Sequence, residues 1–294
     1  MFLSSMIRRT CWIKNKVSVK KLFEIFSVLS LCLLFGCSKQ SDVSVAKDND
    51  VICDGTFTGY VYKFRNLKNK EVWKTFKSSA EILAACQIPQ DSLNRLNTEG
   101  LSQSCMFLPI NFTYTAYYSN TVSPYDGILS LIKSCNCLTA LTSKKLAPAA
   151  LIKLYKNMVL INGTFTSSDF IYSLNIFEKN SSLDKSYLEL LLSTEYFTPK
   201  MDLSQLKELA KEIQNKTTFQ VNCPSASYAG SLCYTYTAGA RVVLRYDSLN
   251  PFLTQAEKDK LLNFIKRAGD DISVAQQDCI SLVDSTLNIL ARNH

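Results

Sequence analysis

The chain has 294 residues, enough to bury a substantial core in one domain or two tightly joined halves. Its only histidine is the last residue, His294, so a Ser-His-Asp triad, a Cys-His nucleophile and an internal His-ligated zinc are excluded. The formal charge of +8 suggests nucleic acid, but six basic residues and one acid lie within residues 1–36, and residues 37–294 carry only +3.

Read from the start, residues 1–21 hold Arg8, Arg9, Lys14, Lys16, Lys20 and Lys21 and no acid. Ile25 to Phe35 follow without a charge. That run is too short for a bilayer core, which needs about 20 residues, but it fits the apolar core of a signal peptide. Leu34-Phe35-Gly36-Cys37 then resembles the lipobox of bacterial lipoproteins, with Phe35 bulkier than the small residue usual there. The resemblance implies cleavage before Cys37, acylation of Cys37 (palmitate included) and a membrane held through that lipid. The expected organisation is a signal peptide over 1–36, a lipid-anchored tether over 37–50 without a large apolar cluster, and a helical domain over 51–294. Ser38 stands where an aspartate is associated with inner-membrane retention, so the expected location is the bacterial cell envelope at the outer membrane.

Cys11 and Cys32 leave with the leader. Cys53, Cys86, Cys105, Cys135, Cys137, Cys223, Cys233 and Cys279 remain, an even set that suggests disulfides in an exported chain. Spacing alone does not choose their pairing. Cys86 with Cys105 is the favoured local pair and Cys223 with Cys233 the second, each bridge contributing about 3 kcal/mol. Cys135-Asn136-Cys137 is not a CxxC pair, so no metal site is expected.

Helix signals dominate the rest. "TFTGYVYKF" (56–64) alternates like a strand or extended arm near the N-terminus. Ser78 to Glu81 is a capping box, and "SAEILAAC" runs until "QIP" stops it. Ser123-Pro124 opens a helix whose Ile128, Leu131, Ile132 and Cys135 share a face; Pro148 opens another that buries Leu151, Leu154 and Tyr155. "LDKSYLELLLS" (183–193) precedes "DLSQLKELAKEI" (202–213), with Leu206, Leu209, Ala210 and Ile213 in one stripe. "RVVLRY" (241–246) has strand propensity, yet Tyr228, Leu232, Tyr236, Ala240 and Val243 recur at helical spacing, and helix is favoured. Thr254 to Glu257 is a second capping box, starting a helix expected to end at Gly269. Ile272, Ala275, Cys279, Leu282, Val283 and Leu290 mark a long C-terminal helix.

Trp73, Ala85-Cys86-Gln87-Ile88-Pro89, Thr98-Glu99-Gly100-Leu101, Cys105 and Pro109 together resemble a segment that recurs in exported proteins of Bacteroidetes bacteria. The resemblance implies a mainly α protein, with helix pairs stacked as in α-solenoids, and carries no activity with it. Cys135, Cys137, Cys223 and Cys233 lie outside that pattern. The physical expectation for the same stretch is Thr98 as a helix N-cap and Glu99 as a favourable first-turn acid.

There is no GxGxxG, no GxxxxGK[ST] and only nine glycines, so no nucleotide or other cofactor is expected. Glycoside hydrolysis survives this filter because it needs only two spaced acids; Asp54, Asp126, Asp169 and Asp247 lie near aromatics. Tyr60, Tyr62, Phe64, Tyr234 and Tyr236 read mainly as core, while Tyr114, Tyr117 and Tyr118 of "FTYTAYYSN" form the best candidate binding patch. The expected function is a non-catalytic envelope lipoprotein that binds a protein or glycan partner. The alternatives are a carboxylate-dependent glycoside hydrolase and a purely structural envelope component.

Overall fold

In the computed structural model the described residues are 59–64, 75–110, 123–158, 182–222, 229–267 and 274–292. The leader, Cys37, the tether, Cys53, Asp54, Tyr114, Tyr117, Tyr118, Asp169, Cys223 and Gly269 lie outside them. Among the described residues the chain is mainly α, with eleven α-helices.

The helices are α1 (Ser79–Ala85), α2 (Gln90–Leu93), α3 (Thr98–Met106), α4 (Pro124–Ser134), α5 (Asn136–Ser143) and α6 (Ala147–Asn157). They continue with α7 (Ser182–Leu192), α8 (Leu203–Asn222), α9 (Ala229–Leu249), α10 (Gln255–Arg267) and α11 (Val274–Arg292). A single 3₁₀ turn, Thr198–Lys200, joins α7 to α8.

Local chemistry accounts for most of the starts. Ser78 caps α1 by accepting from the Glu81 amide at 3.3 Å. Ser123 and Asp126 close a reciprocal capping box on α4, with Pro124 at its first turn. Thr254 and Glu257 do the same for α10. At α3 the expectation shifts by one residue. The cap is Asn97, whose Oδ1 accepts from the Gly100 amide at 2.7 Å, and Thr98 is the first helical residue.

The strand propensity of residues 241–246 yields to tertiary context. They lie inside the helix α9, with Val242 and Val243 fully buried. The α4 face of Ile128, Leu131, Ile132 and Cys135 is buried as its periodicity requires, as is the α8 stripe of Leu206, Leu209, Ala210 and Ile213.

After α7, the long helices α8 and α9 pack as an antiparallel pair. α8 and α9 run side by side, with Lys207 near Tyr246, Ile213 beside Gly239 and Lys216 on Thr235. α11 packs on both, where Gln214 of α8 bonds Asn288 and Tyr236 of α9 donates to Asp284 at 2.9 Å, and α10 is tied to the end of α9 by Lys258 and Asp247. One continuous apolar core joins this layer to α3, α4, α5 and α6. None of the described helices is long and apolar enough to cross a membrane.

Residues 59–64 have no regular secondary structure and lie on α3. The Tyr62 amide donates to Ser104 Oγ at 2.9 Å, and that hydroxyl donates to the Gly100 carbonyl at 2.6 Å. Residues 56–58 of the expected strand lie outside the described residues. Gly100 is required by this approach, because a Cβ there would sit 2.0 Å from the Tyr60 carbonyl oxygen. In an open helix, Gly→Ala stabilises by about 1 kcal/mol. Here the clash outweighs that gain, and Gly100→Ala is expected to lower stability by about 1–3 kcal/mol in urea melts. Hydrogen-exchange protection of the Tyr62 amide should fall with it. An Ala variant as stable as the parent would mean that residues 59–64 do not lie on α3.

Candidate functional site

The most concentrated polar chemistry lies at the junction of α6, α7, α8 and α9. Glu189 and Lys216 are both fully buried and pair at 3.0 Å. Burying two charges costs several kcal/mol each unless their remaining hydrogen-bonding capacity is met, and here it is. Lys216 Nζ donates to Ser186 Oγ at 2.6 Å, Glu189 Oε2 at 3.0 Å and Thr235 Oγ1 at 2.7 Å, one partner for each ammonium hydrogen. Thr235 donates onward to Glu189 Oε2 at 2.7 Å, and the Tyr155 hydroxyl donates to Oε1. Lys185 lies 4.3 Å from the centre of the Tyr155 ring, a cation–π contact on the flank of the network.

The environment moves these groups in opposite senses. Burial pushes the Lys216 ammonium down to about 8, against the pull of the Glu189 carboxylate. Burial pushes the Tyr155 phenol well up, and the neighbouring Glu189 adds to it.

Ser186 and Lys216 have the separation of a nucleophile and its base. The geometry does not make them one. A protonated ammonium has no lone pair to take a serine proton, and both residues are fully buried. The network is a structural centre, and the sequence carried a sign of it: Glu189 interrupts the apolar run Tyr187, Leu188, Leu190, Leu191, Leu192.

A second buried pair, Lys153 with Glu99 at 2.7 Å, ties α6 to α3. Glu99 is therefore more than a first-turn acid. On the outside, the Arg241 guanidinium stacks 3.5 Å from the centre of the Tyr125 ring, whose hydroxyl donates to Glu195 at 2.5 Å. A shallow recess beside them is lined by Ser123, Pro124, Leu190, Tyr234, Thr237 and Ile265.

Two of the four candidate carboxylates are accounted for. Asp126 is consumed by the α4 capping box. Asp247 Oδ1 accepts from the Phe252 and Leu253 amides at 2.8 Å, and Oδ2 pairs with Lys258 at 2.7 Å. These bonds outweigh burial and hold its carboxyl below the usual range. Asp54 and Asp169 lie outside the described residues. Tyr234 and Tyr236 are buried core.

Cys86, Cys105, Cys135 and Cys137 are fully buried and free, and Cys279 is free and partly exposed. The favoured Cys86–Cys105 bridge is not formed. The reason is placement. Cys86 closes the end of α1, two residues before Ile88 bonds Asn136 at the α4–α5 junction, whereas Cys105 lies in the last turn of α3. Of the second expected pair, Cys223 is outside the described residues and Cys233 lies on α9. Among the described residues no group of three or more Cys, His, Asp or Glu is arranged to hold a metal.

Comparison with family models, with curated proteins and with solved structures finds no match for this chain. The described residues thus define a mainly α protein organised around a buried, fully hydrogen-bonded ion pair.

Lys216→Met leaves the Glu189 carboxylate buried without its cation and should cost about 3–5 kcal/mol in denaturant melts. The double variant Lys216→Met/Glu189→Leu should recover most of that loss, since an apolar pair of similar volume needs no compensating charge. A double variant as unstable as the single one would show that the pair contributes net stability.

Alkali tests the buried thiols. Burial raises the Cys86 thiol to about 12 and pushes Cys105 and Cys135 up as well, against the ordinary value of 9.0. Above that value the unfolded chain releases protons that the folded chain retains, so the stability of the reduced protein falls as pH rises past 9. Lys216 acts oppositely: its lowered value makes stability rise between about 8 and 10.5. The thiols outnumber it, and reduced protein should have a lower urea midpoint at pH 10 than at pH 8.5. An unchanged or higher midpoint would count against their burial.

Proposed function

We propose that this chain is an envelope lipoprotein of the Bacteroidetes exported type, acylated at Cys37, held at the outer membrane by its lipid and tether, and acting by binding a protein partner rather than by catalysis. The observation that carries the binding reading is an exposed apolar end on the helical layer. Leu203 opens α8, Leu249 closes the antiparallel α9, and Phe252 follows it; these side chains are 38%, 44% and 39% exposed. The Phe252 ring packs edge-on against Tyr246 at 5.8 Å, and Lys207 approaches that ring at 5.9 Å, so the three apolar tips belong to one end of the α8–α9 pair. Exposed apolar side chains clustered within a polar surround suit a protein interface.

The glycosidase alternative is weakened because Asp126 and Asp247 are engaged in capping and ion pairing. Export is supported by the basic leader, the uncharged run and the Leu34-Phe35-Gly36-Cys37 sequence. In an oxidising envelope the cysteines of the domain are expected to be crosslinked.

The test is a comparison in native membranes. Wild-type protein should label with a lipid precursor and sediment with membranes, and Cys37→Ala should lose both properties. Crosslinking in the same membranes should capture a discrete protein partner that is lost with Leu249→Asp/Phe252→Asp. Retained capture by the double variant, or labelling that survives Cys37→Ala, would refute the corresponding half of the proposal.

A further inference from the structure

Two arginines on α9 stand without an acidic partner. Arg241 and Arg245 are four residues apart, about one helical turn, and so share a face. That face starts in the recess with Tyr234 and Thr237, passes both guanidinium groups and ends at Leu249, four residues beyond Arg245, in the exposed apolar end. Both arginines are half-buried, and the Nε of each is buried without a hydrogen-bond acceptor. Among the described residues neither forms an ion pair, since the pairs present all use lysines. Arg245 has a single bond, from Nη1 to Ser248 Oγ at 3.3 Å within its own helix. Arg241 has only the Tyr125 ring, 3.5 Å from its central carbon.

The carboxylates close to Arg241 are committed elsewhere. Glu195 accepts from the Tyr125 hydroxyl at 2.5 Å, and Asp126 closes the α4 capping box with Ser123. Like charges one turn apart on a helix repel each other, and a buried N–H without an acceptor costs free energy. Carboxylates arriving from outside the chain relieve the repulsion and give the guanidinium groups the acceptors they lack. A guanidinium fork matches a planar carboxylate with two parallel bonds. Glu195 and Asp126 also select the ligand, because their negative charge repels a phosphate dianion more than a singly charged carboxylate.

We propose that Arg241 and Arg245 are the acid-reading half of the partner site, binding two side-chain carboxylates set one turn apart on a helix of the protein partner. The apolar residues of that helix cover Leu249 and Phe252. This rests on the partner-binding reading above and adds the chemistry of the partner: an acidic, amphipathic helix.

The experiment measures fluorescence anisotropy of a labelled peptide of Glu-Ala-Ala-Ala repeats, which sets carboxylates one turn apart, with the purified full chain. Binding should saturate, weaken with added salt, and be absent for the matching Gln-Ala-Ala-Ala peptide. Arg241→Gln and Arg245→Gln should each raise the Kd about tenfold with unchanged urea midpoints. If loss of the ring contact unfolds Arg241→Gln, Arg245→Gln carries the test, because the one bond it removes lies within its own helix. Inorganic phosphate at matched ionic strength should displace the peptide no better than chloride. Equal affinity for the two peptides, arginine variants that bind as wild type does, or displacement by phosphate would overturn the assignment. Crosslinking in native membranes separates the two readings. Capture lost with Leu249→Asp/Phe252→Asp but kept with Arg241→Gln/Arg245→Gln would overturn the acid-reading role and leave the partner reading standing. Arginine-dependent peptide binding with no partner captured in membranes would overturn the partner reading and uphold the carboxylate site.

Discussion

A lysine and a glutamate with no exposed surface occupy the middle of the helical layer, and their needs constrain four helices at once. Ser186 and Glu189 come from α7, Lys216 from α8, Thr235 from α9 and Tyr155 from α6. Each ammonium hydrogen and each carboxylate oxygen has a partner, so a shift of any one helix would strand a buried charge. Apolar packing around the pair is tolerant of small slips; charge satisfaction is not. The long stripe of α8 supplies the area, and the ion pair supplies the register.

The first six helices are held by different means. Lys153 and Glu99 repeat the buried-pair device between α6 and α3. The Gln87–Asn136 clasp joins segments nearly fifty residues apart in sequence through backbone groups freed by helix ends. Such groups require partners once buried, and side-chain amides meet the need because each both donates and accepts. Residues 59–64 then cross α3 where Gly100 leaves room. Polar contacts of this kind specify which helix ends meet.

Much of the local architecture was legible from residue patterns. Ser78, Ser123 and Thr254 announce helix starts because short polar side chains complete the open amides of a first turn. The stripes on α4 and α8 announce buried faces because helical periodicity brings them to one side. The Asn97–Thr98 boundary was misplaced by one residue, since both types cap well and only backbone angles choose. The break between α4 and α5 was missed, because Cys135 leaves helical geometry where Asn136 turns to meet Ile88, a contact with no local signal. The Cys86–Cys105 expectation failed for the same reason: proximity along the chain was used where proximity in space decides.

The amino-acid sequence by itself determined a mainly helical protein, the positions of most helix starts and the apolar faces, because each depends on residues within a few turns of one another. Tertiary structure alone decided that Lys216 meets Glu189, that Lys153 meets Glu99, and that Asn136 meets Ile88. Those outcomes depend on helices distant in sequence whose relative placement is set by burying charge only where every donor and acceptor can be answered.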